Sequence, residues 1–182
     1  MSAPSAALPD RARTTTPEDG PLQGVDLGLL VLRIGLGLTM AAHGCQKLFG
    51  WFDGPGLDGT AQGFSAMGYP AGKTMATIAG LAETFGGLAL VLGLLTPLAG
   101  AAVLGTMLNA LNVKWGGGFF QPRGVEYELF LVAAAAAVTL TGPGRIAVDR
   151  ALPVLRQQRP QHGLAALVLA LVTAGLVLLL KD

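Results

Sequence analysis

Two stretches of this chain are almost empty of ionisable side chains. Between Glu83 and Lys114 lie 30 residues with none, and between Arg159 and Lys181 lie 21 that include only His162. A helix needs ~20 apolar residues to cross the ~30 Å hydrocarbon layer of a bilayer. Inside lipid every backbone N–H and C=O must be satisfied within the structure, which leaves helices and closed barrels as the spanning forms. The overall balance agrees. Of 182 residues 52% are hydrophobic, an ordinary share, but only 13% are charged, against about 25% in soluble domains. The chain reads as an all-α, polytopic membrane helical bundle.

Five spans are expected, at about residues 27–48, 74–95, 98–113, 125–141 and 163–180. Gly93 and Pro97 break what would otherwise be one overlong helix, since proline lacks the amide needed in a helix interior but suits a first turn. Residues 1–24 are Ser, Thr, Pro and Ala with mixed charge, and they cannot bury enough surface to order themselves. This stretch is expected to be a disordered tail, and it lacks the basic-then-apolar pattern of a secretory signal. Residues 25–149 are expected to form the bundle, and residues 150–182 a basic connection plus the fifth span.

Lys and Arg in short loops set orientation. With the N-terminus cytoplasmic, the inner side holds Arg11, Arg13, Arg145, Arg150, Arg156 and Arg159, and the outer side Lys47, Lys73, Lys114, Arg123 and Lys181. The arginine block from Arg145 to Arg159 favours a cytoplasmic N-terminus and an external C-terminus in the plasma membrane. Apart from Phe85, every aromatic falls in residues 49–69 or 115–130, both flanking the outer side. Interfacial anchoring explains such placement; so does a lid, because both segments are glycine-rich, with Gly116–Gly118 consecutive.

An ionisable side chain in mid-span costs about 2.5–3.5 kcal/mol on insertion scales and usually faces the bundle with a partner. Arg33 and Glu83 meet that description and are expected to pair. At ~100° per residue, Arg33, Met40, His43 and Lys47 share one side of the first span, and Cys45 points away from it. Ala76, Gly80 and Gly87 lie on the face of Glu83, where small residues allow close helix approach. Asn109 and Asn112 lie toward the outer end of the third span, and Glu126 and Glu128 open the fourth. Together these groups constitute either a register-fixing network or a functional site in the outer half, beneath Trp51 and Trp115.

A net charge of +1 leaves no electrostatic footprint for nucleic acid. The single cysteine excludes an internal disulfide, a CxxC pair and a thiolate metal cluster. No second histidine shares the face of His43, so no metal site is expected. Neither a haem nor a covalently bound cofactor is expected either.

The segment LRIGLGLTMAAHGCQKLFGWFDGPG resembles the opening signature of the DoxX family. GLAETFGGLALVLGLLT resembles its Glu-x-x-Gly-Gly pattern followed by Gly-x-x-Thr. KWGGGFF and GVEYELFLVAAAAAVTLTGPGRIAVD resemble its aromatic loop, Glu-Tyr helix start and Gly-Pro-Gly-Arg close. The resemblance covers roughly residues 27–149. It implies a four-helix membrane bundle and a link to quinone and sulfur metabolism, as in thiosulfate:quinone oxidoreductase subunits and membrane complexes against thiol or oxidative stress. It carries the family's polar positions onto Arg33, His43, Lys47, Glu83, Trp115 and Glu126, with Glu126 preferred to Glu128 through the Glu-Tyr motif. The fifth span and the long tail depart from the family pattern.

Two functions follow as expectations. The first is a redox-linked subunit in which Arg33, His43, Lys47, Glu83 and Glu126 do the chemistry, and Trp51, Asn109 and Trp115 hold a quinone or small sulfur species. The second is a non-enzymatic anchor docking soluble redox or sulfur-transfer proteins at the bilayer. No inverted repeat supports a transporter.

Overall fold

The structure is a computed structural model and describes residues 22–153, 155 and 160–181. The expected tail falls on residues 1–24 and so lies almost wholly outside the described residues, as do Arg156 and Arg159. Seven helices are described: α1 (Gly24–Phe49), α2 (Gly56–Ala66), α3 (Gly72–Leu92), α4 (Thr96–Lys114), α5 (Glu126–Thr141), α6 (Val148–Ala151) and α7 (Pro160–Leu179). Four of them, α1, α3, α4 and α7, are long and apolar enough to cross a membrane. The protein is a multi-pass helical membrane protein. The remaining expected span, α5, has 16 residues and therefore extends only ~24 Å.

The long helices alternate in direction. The C-terminal ends of α1 and α4 and the start of α5 share one end of the bundle, which α2 covers; it is called the lid end below. The turn from α3 to α4 and the end of α5 lie at the opposite, tail end.

Small residues fix the tightest contact, between α1 and α3. A Cβ added to Gly37 would lie 2.5 Å from the carbonyl oxygen of Gly87, and one added to Gly44 would meet the backbone of Thr84 and Gly80. Both helices thus carry a glycine every seven residues on the face they share, and their backbones touch. Behind this seam Met40, Leu90, Val103, Leu104, Ala135 and Val138 are fully buried. The fifth long element, α7, packs on α4 and α5 with Ala166, Ala170 and Ala174 buried at four-residue spacing.

A buried polar knot closes the tail end. The turn between α3 and α4 uses Gly93 (φ 68°) and Leu95 (φ 47°). Asp149, fully buried, accepts hydrogen bonds from the amides of Leu95 (2.7 Å) and Thr96 (2.9 Å), which satisfies the exposed donors of the α4 start. Its own amide donates to Gly93 O at 2.9 Å. Arg33 reaches the same knot: its guanidinium donates to Ile146 O and faces the Asp149 carboxylate. Asp26 adds a further tie, accepting from the amide of Arg145 at 3.0 Å. The expected Arg33–Glu83 pair does not form. Side chains on a helix tilt toward its N-terminus, so Arg33 points to the tail end and Glu83, on an antiparallel helix, to the lid end.

Candidate functional site

Glu83 instead meets Lys47. The last turn of α1 carries Lys47, whose stem runs back toward the bundle centre, and its ammonium lies 2.6 Å from Glu83 Oε2. The Glu83 side chain is 3% exposed and that of Lys47 25%, so the carboxylate is held inside and the ammonium bridges it to the lid end. A second pair repeats the design. Lys114 in the last turn of α4 lies 2.6 Å from Glu128 Oε1 in the first turn of α5. Each lysine sits at a helix C-terminus, and Glu128 at an N-terminus, where the backbone dipoles favour those charges.

Between the two ion pairs, His43 Nε2 and the Tyr127 hydroxyl are hydrogen-bonded at 2.8 Å. The lid contributes Phe64, Met67 and Tyr69. Tyr69 donates to Asn109 Oδ1 at 3.4 Å, and burial pushes its phenol above the ordinary range, which keeps it a neutral donor. Over the Tyr69 ring lies the Lys181 ammonium, 5.5 Å from the centroid, so α7 returns to the lid end.

Apart from Lys181, these groups line a cavity of about 440 Å³, within the usual range for small-molecule sites. The remainder of its wall is apolar or small: Met75, Ile78, Ala79 and Ala82 from α3, Ala101, Ala102 and Gly105 from α4, and Ala174 and Val177 from α7. The flanks α3 and α7 each pack on α4 and make little contact with one another. The cavity is thus bordered by charged and hydrogen-bonding side chains around His43, Lys47, Glu83, Tyr127 and Glu128 and by mostly apolar residues of α3, α4 and α7.

Of the residues singled out from sequence, His43, Lys47, Glu83 and Asn109 come together on this wall. Arg33 belongs to the knot at the other end. Trp51 and Trp115 are 58% and 70% exposed and lie off the cavity, where their rings suit the membrane interface. Glu126 also lies off it: its Oε1 accepts from the Gln121 amide at 2.9 Å and braces the glycine-rich loop. Glu128 is the carboxylate that faces the cavity. Sequence reasoning missed Tyr127 and set Glu128 aside; helical spacing alone could have found Glu128, since Leu131, Ala135 and Val138 continue its buried face. Among the described residues no three His, Cys, Asp or Glu side chains converge as a metal site would require.

Comparison with known proteins gives the same assignment as the motifs. Residues 28–116 match the DoxX family profile. This segment is a DoxX domain. It contains the α1–α3 seam, both lysines and Glu83, while Tyr127, Glu128 and α7 lie beyond it. A relative from Bacillus subtilis (strain 168), named "Putative oxidoreductase CatD", is 29% identical over 125 residues, which is 68% of this chain and 86% of the relative. No solved structure matches the chain significantly.

Proposed function

We propose that this DoxX protein is a redox-linked membrane subunit whose cavity binds the headgroup of a lipid-soluble quinone at the lid end. The observation that carries this reading is the lining of the cavity: mostly apolar along α3, α4 and α7, with α3 and α7 making little contact with one another, and polar where His43, Lys47, Glu83, Tyr127 and Glu128 gather. A ring with an apolar tail would enter from the bilayer, bury its tail along the alanine-lined wall and present its oxygens to the polar groups. The charges there are already compensated, Lys47 by Glu83 and Lys114 by Glu128. A neutral ring suits such a site better than a free sulfur oxyanion, which would compete with both carboxylates for the lysines.

In this reading His43 and Tyr127, hydrogen-bonded at 2.8 Å, are the proton-carrying groups beside the ring, and Glu83 and Glu128 hold the lysines in place. With one cysteine the chain has no dithiol of its own, so the exchanging redox couple is a soluble reductant or a partner protein. The arginine block in the sequence supports an orientation with the N-terminus in the cytoplasm and the lid on the outer face of the plasma membrane.

The test is binding of decylubiquinone to purified protein in nanodiscs, beside its tailless analogue and thiosulfate. The tailed quinone is expected to bind most tightly, and Ala79→Phe, which fills the cavity from α3, to abolish binding while the protein stays folded. Thiosulfate binding without quinone binding would overturn the reading. So would co-purifying soluble partners with no quinone binding, which is the outcome a pure anchor gives.

A further inference from the structure

Glu128 holds a hydrogen-bonding capacity that nothing else among the described residues uses. The residue is 6% exposed. One carboxylate oxygen takes the Lys114 ammonium at 2.6 Å, and the other, Oε2, is shielded from water and has no partner. A buried acceptor left unmade costs more than a made one gains. Because Glu128 lies on the cavity wall, and the last torsion of a glutamate is broad and two-fold, a small rotation offers an oxygen to whatever occupies the cavity.

The neighbouring polar groups are committed elsewhere. The Thr106 and Thr173 hydroxyls donate to carbonyls of their own helices. Asn109 bonds Gly105 O through its amide nitrogen and Tyr69 through its oxygen. His43 and Tyr127 hold each other. Thr84 Oγ1 is also buried without a partner, but it lies in the glycine seam against Gly44 rather than on the cavity. Lys47, Lys114 and Asn109 keep further N–H donors, but among the described residues the buried side-chain atom on this wall left with no partner is Glu128 Oε2, an acceptor whose complement is a donor on the ligand.

We infer that Glu128 accepts a hydroxyl of the bound ring, so that the cavity selects the reduced, dihydroxy form of the ligand over the dicarbonyl form. This rests on the reading of the cavity as a quinone-headgroup site. A quinol O–H meets the Glu128 carboxylate as a charge-assisted hydrogen bond. A quinone carbonyl in the same place would set oxygen against oxygen. Hydrogen bonds to charged groups contribute about 1.5–3 kcal/mol, which converts to a preference of about ten- to a hundredfold.

The experiment compares three probes under anaerobic conditions on the full chain in nanodiscs: decylubiquinol, decylubiquinone, and the dimethyl ether of decylubiquinol, which keeps ring and tail but has no donor. The quinol is expected to bind at least about tenfold more tightly than either of the others, and Glu128→Gln to bring the three affinities close together. Equal affinities in the unaltered protein would overturn the inference while leaving the quinone reading standing; failure of all three to bind would overturn both. A folded Glu128→Gln protein that kept the full preference would also overturn it. Should that variant fail to fold, the quinol-to-ether ratio in the unaltered protein decides alone.

Discussion

Lys47 and Glu83 lie 2.6 Å apart, whereas Arg33, on the same side of α1, turns away from Glu83 to the carbonyl of Ile146. Two cations on one helix face thus serve opposite ends of the bundle. Breaking a buried ion pair by removing one partner costs about 3–5 kcal/mol, because the other is stranded. Lys47 is a quarter exposed and can rehydrate when left alone, so Glu83→Gln should cost less, about 1–3 kcal/mol, than Lys47→Met, which strands the buried carboxylate. Lys47→Met and Glu83→Gln are expected to couple in a double-mutant cycle read as thermal stability in detergent. Arg33→Met and Glu83→Gln should add independently, and coupling between those two would contradict the arrangement described.

The tail-end knot predicts a second, separate cycle. Asp149 caps α4 through two amides and faces Arg33. Losing a capping carboxylate costs about 0.5–2 kcal/mol, and an uncompensated buried guanidinium adds to it. Asp149→Ala should therefore destabilise strongly on its own, and noticeably less in a protein already carrying Arg33→Met. Equal losses in both backgrounds would mean that the carboxylate acts through the cap alone.

The residue types of both clusters were legible in the sequence, because charge inside an apolar run is conspicuous. Their pairing was not. A helical wheel gives the angle of Arg33 and Lys47 about the α1 axis but says nothing of reach along it. Arg33, nine residues into α1, points its long stem to the tail end; Lys47, in the last turn, points its stem to mid-bundle. Asp149 was invisible for another reason: it sits beyond the fourth span in the short α6, and only tertiary folding brings it under Gly93. The Glu-Tyr motif drew attention to Glu126, where the helix begins, although a capping position faces the loop and the buried face starts two residues later.

The glycine seam gives a prediction with its own control. On α1, Gly44 faces the α3 backbone at contact distance, while Gly35 has nothing within 4 Å of an added Cβ. Gly35→Ala should be neutral or stabilise by up to about 1 kcal/mol, since alanine restricts the unfolded chain and favours helix. Gly44→Ala must separate α1 from α3 and should lower the melting temperature and the yield of folded protein. Comparable stability of the two variants would show that the helices can move apart freely at this seam.

The last prediction turns on α5. With 16 residues it extends only ~24 Å, short of a ~30 Å hydrocarbon layer. Its ends nevertheless lie at opposite ends of the bundle: Glu128 meets Lys114 at the lid end, and the α5 end, at Thr139 and Leu140, packs against Gly163 at the start of α7. Bilayers accommodate a short span by thinning locally, at a modest cost, and α5 is flanked by α4 and α7 rather than standing alone in lipid. From there α7 returns to the lid end, where Lys181 lies over Tyr69. Five crossings follow, so the two termini should report opposite sides of the membrane. A reporter fused after Asp182 and one inserted at Gly117, in the exposed lid-end loop, should give the same signal, external in the proposed orientation, and a reporter before Gly24 the opposite one. If the Asp182 reporter instead matched the N-terminal one, α5 would not cross, and the cavity wall formed by α4, α5 and α7 could not exist in the membrane as described.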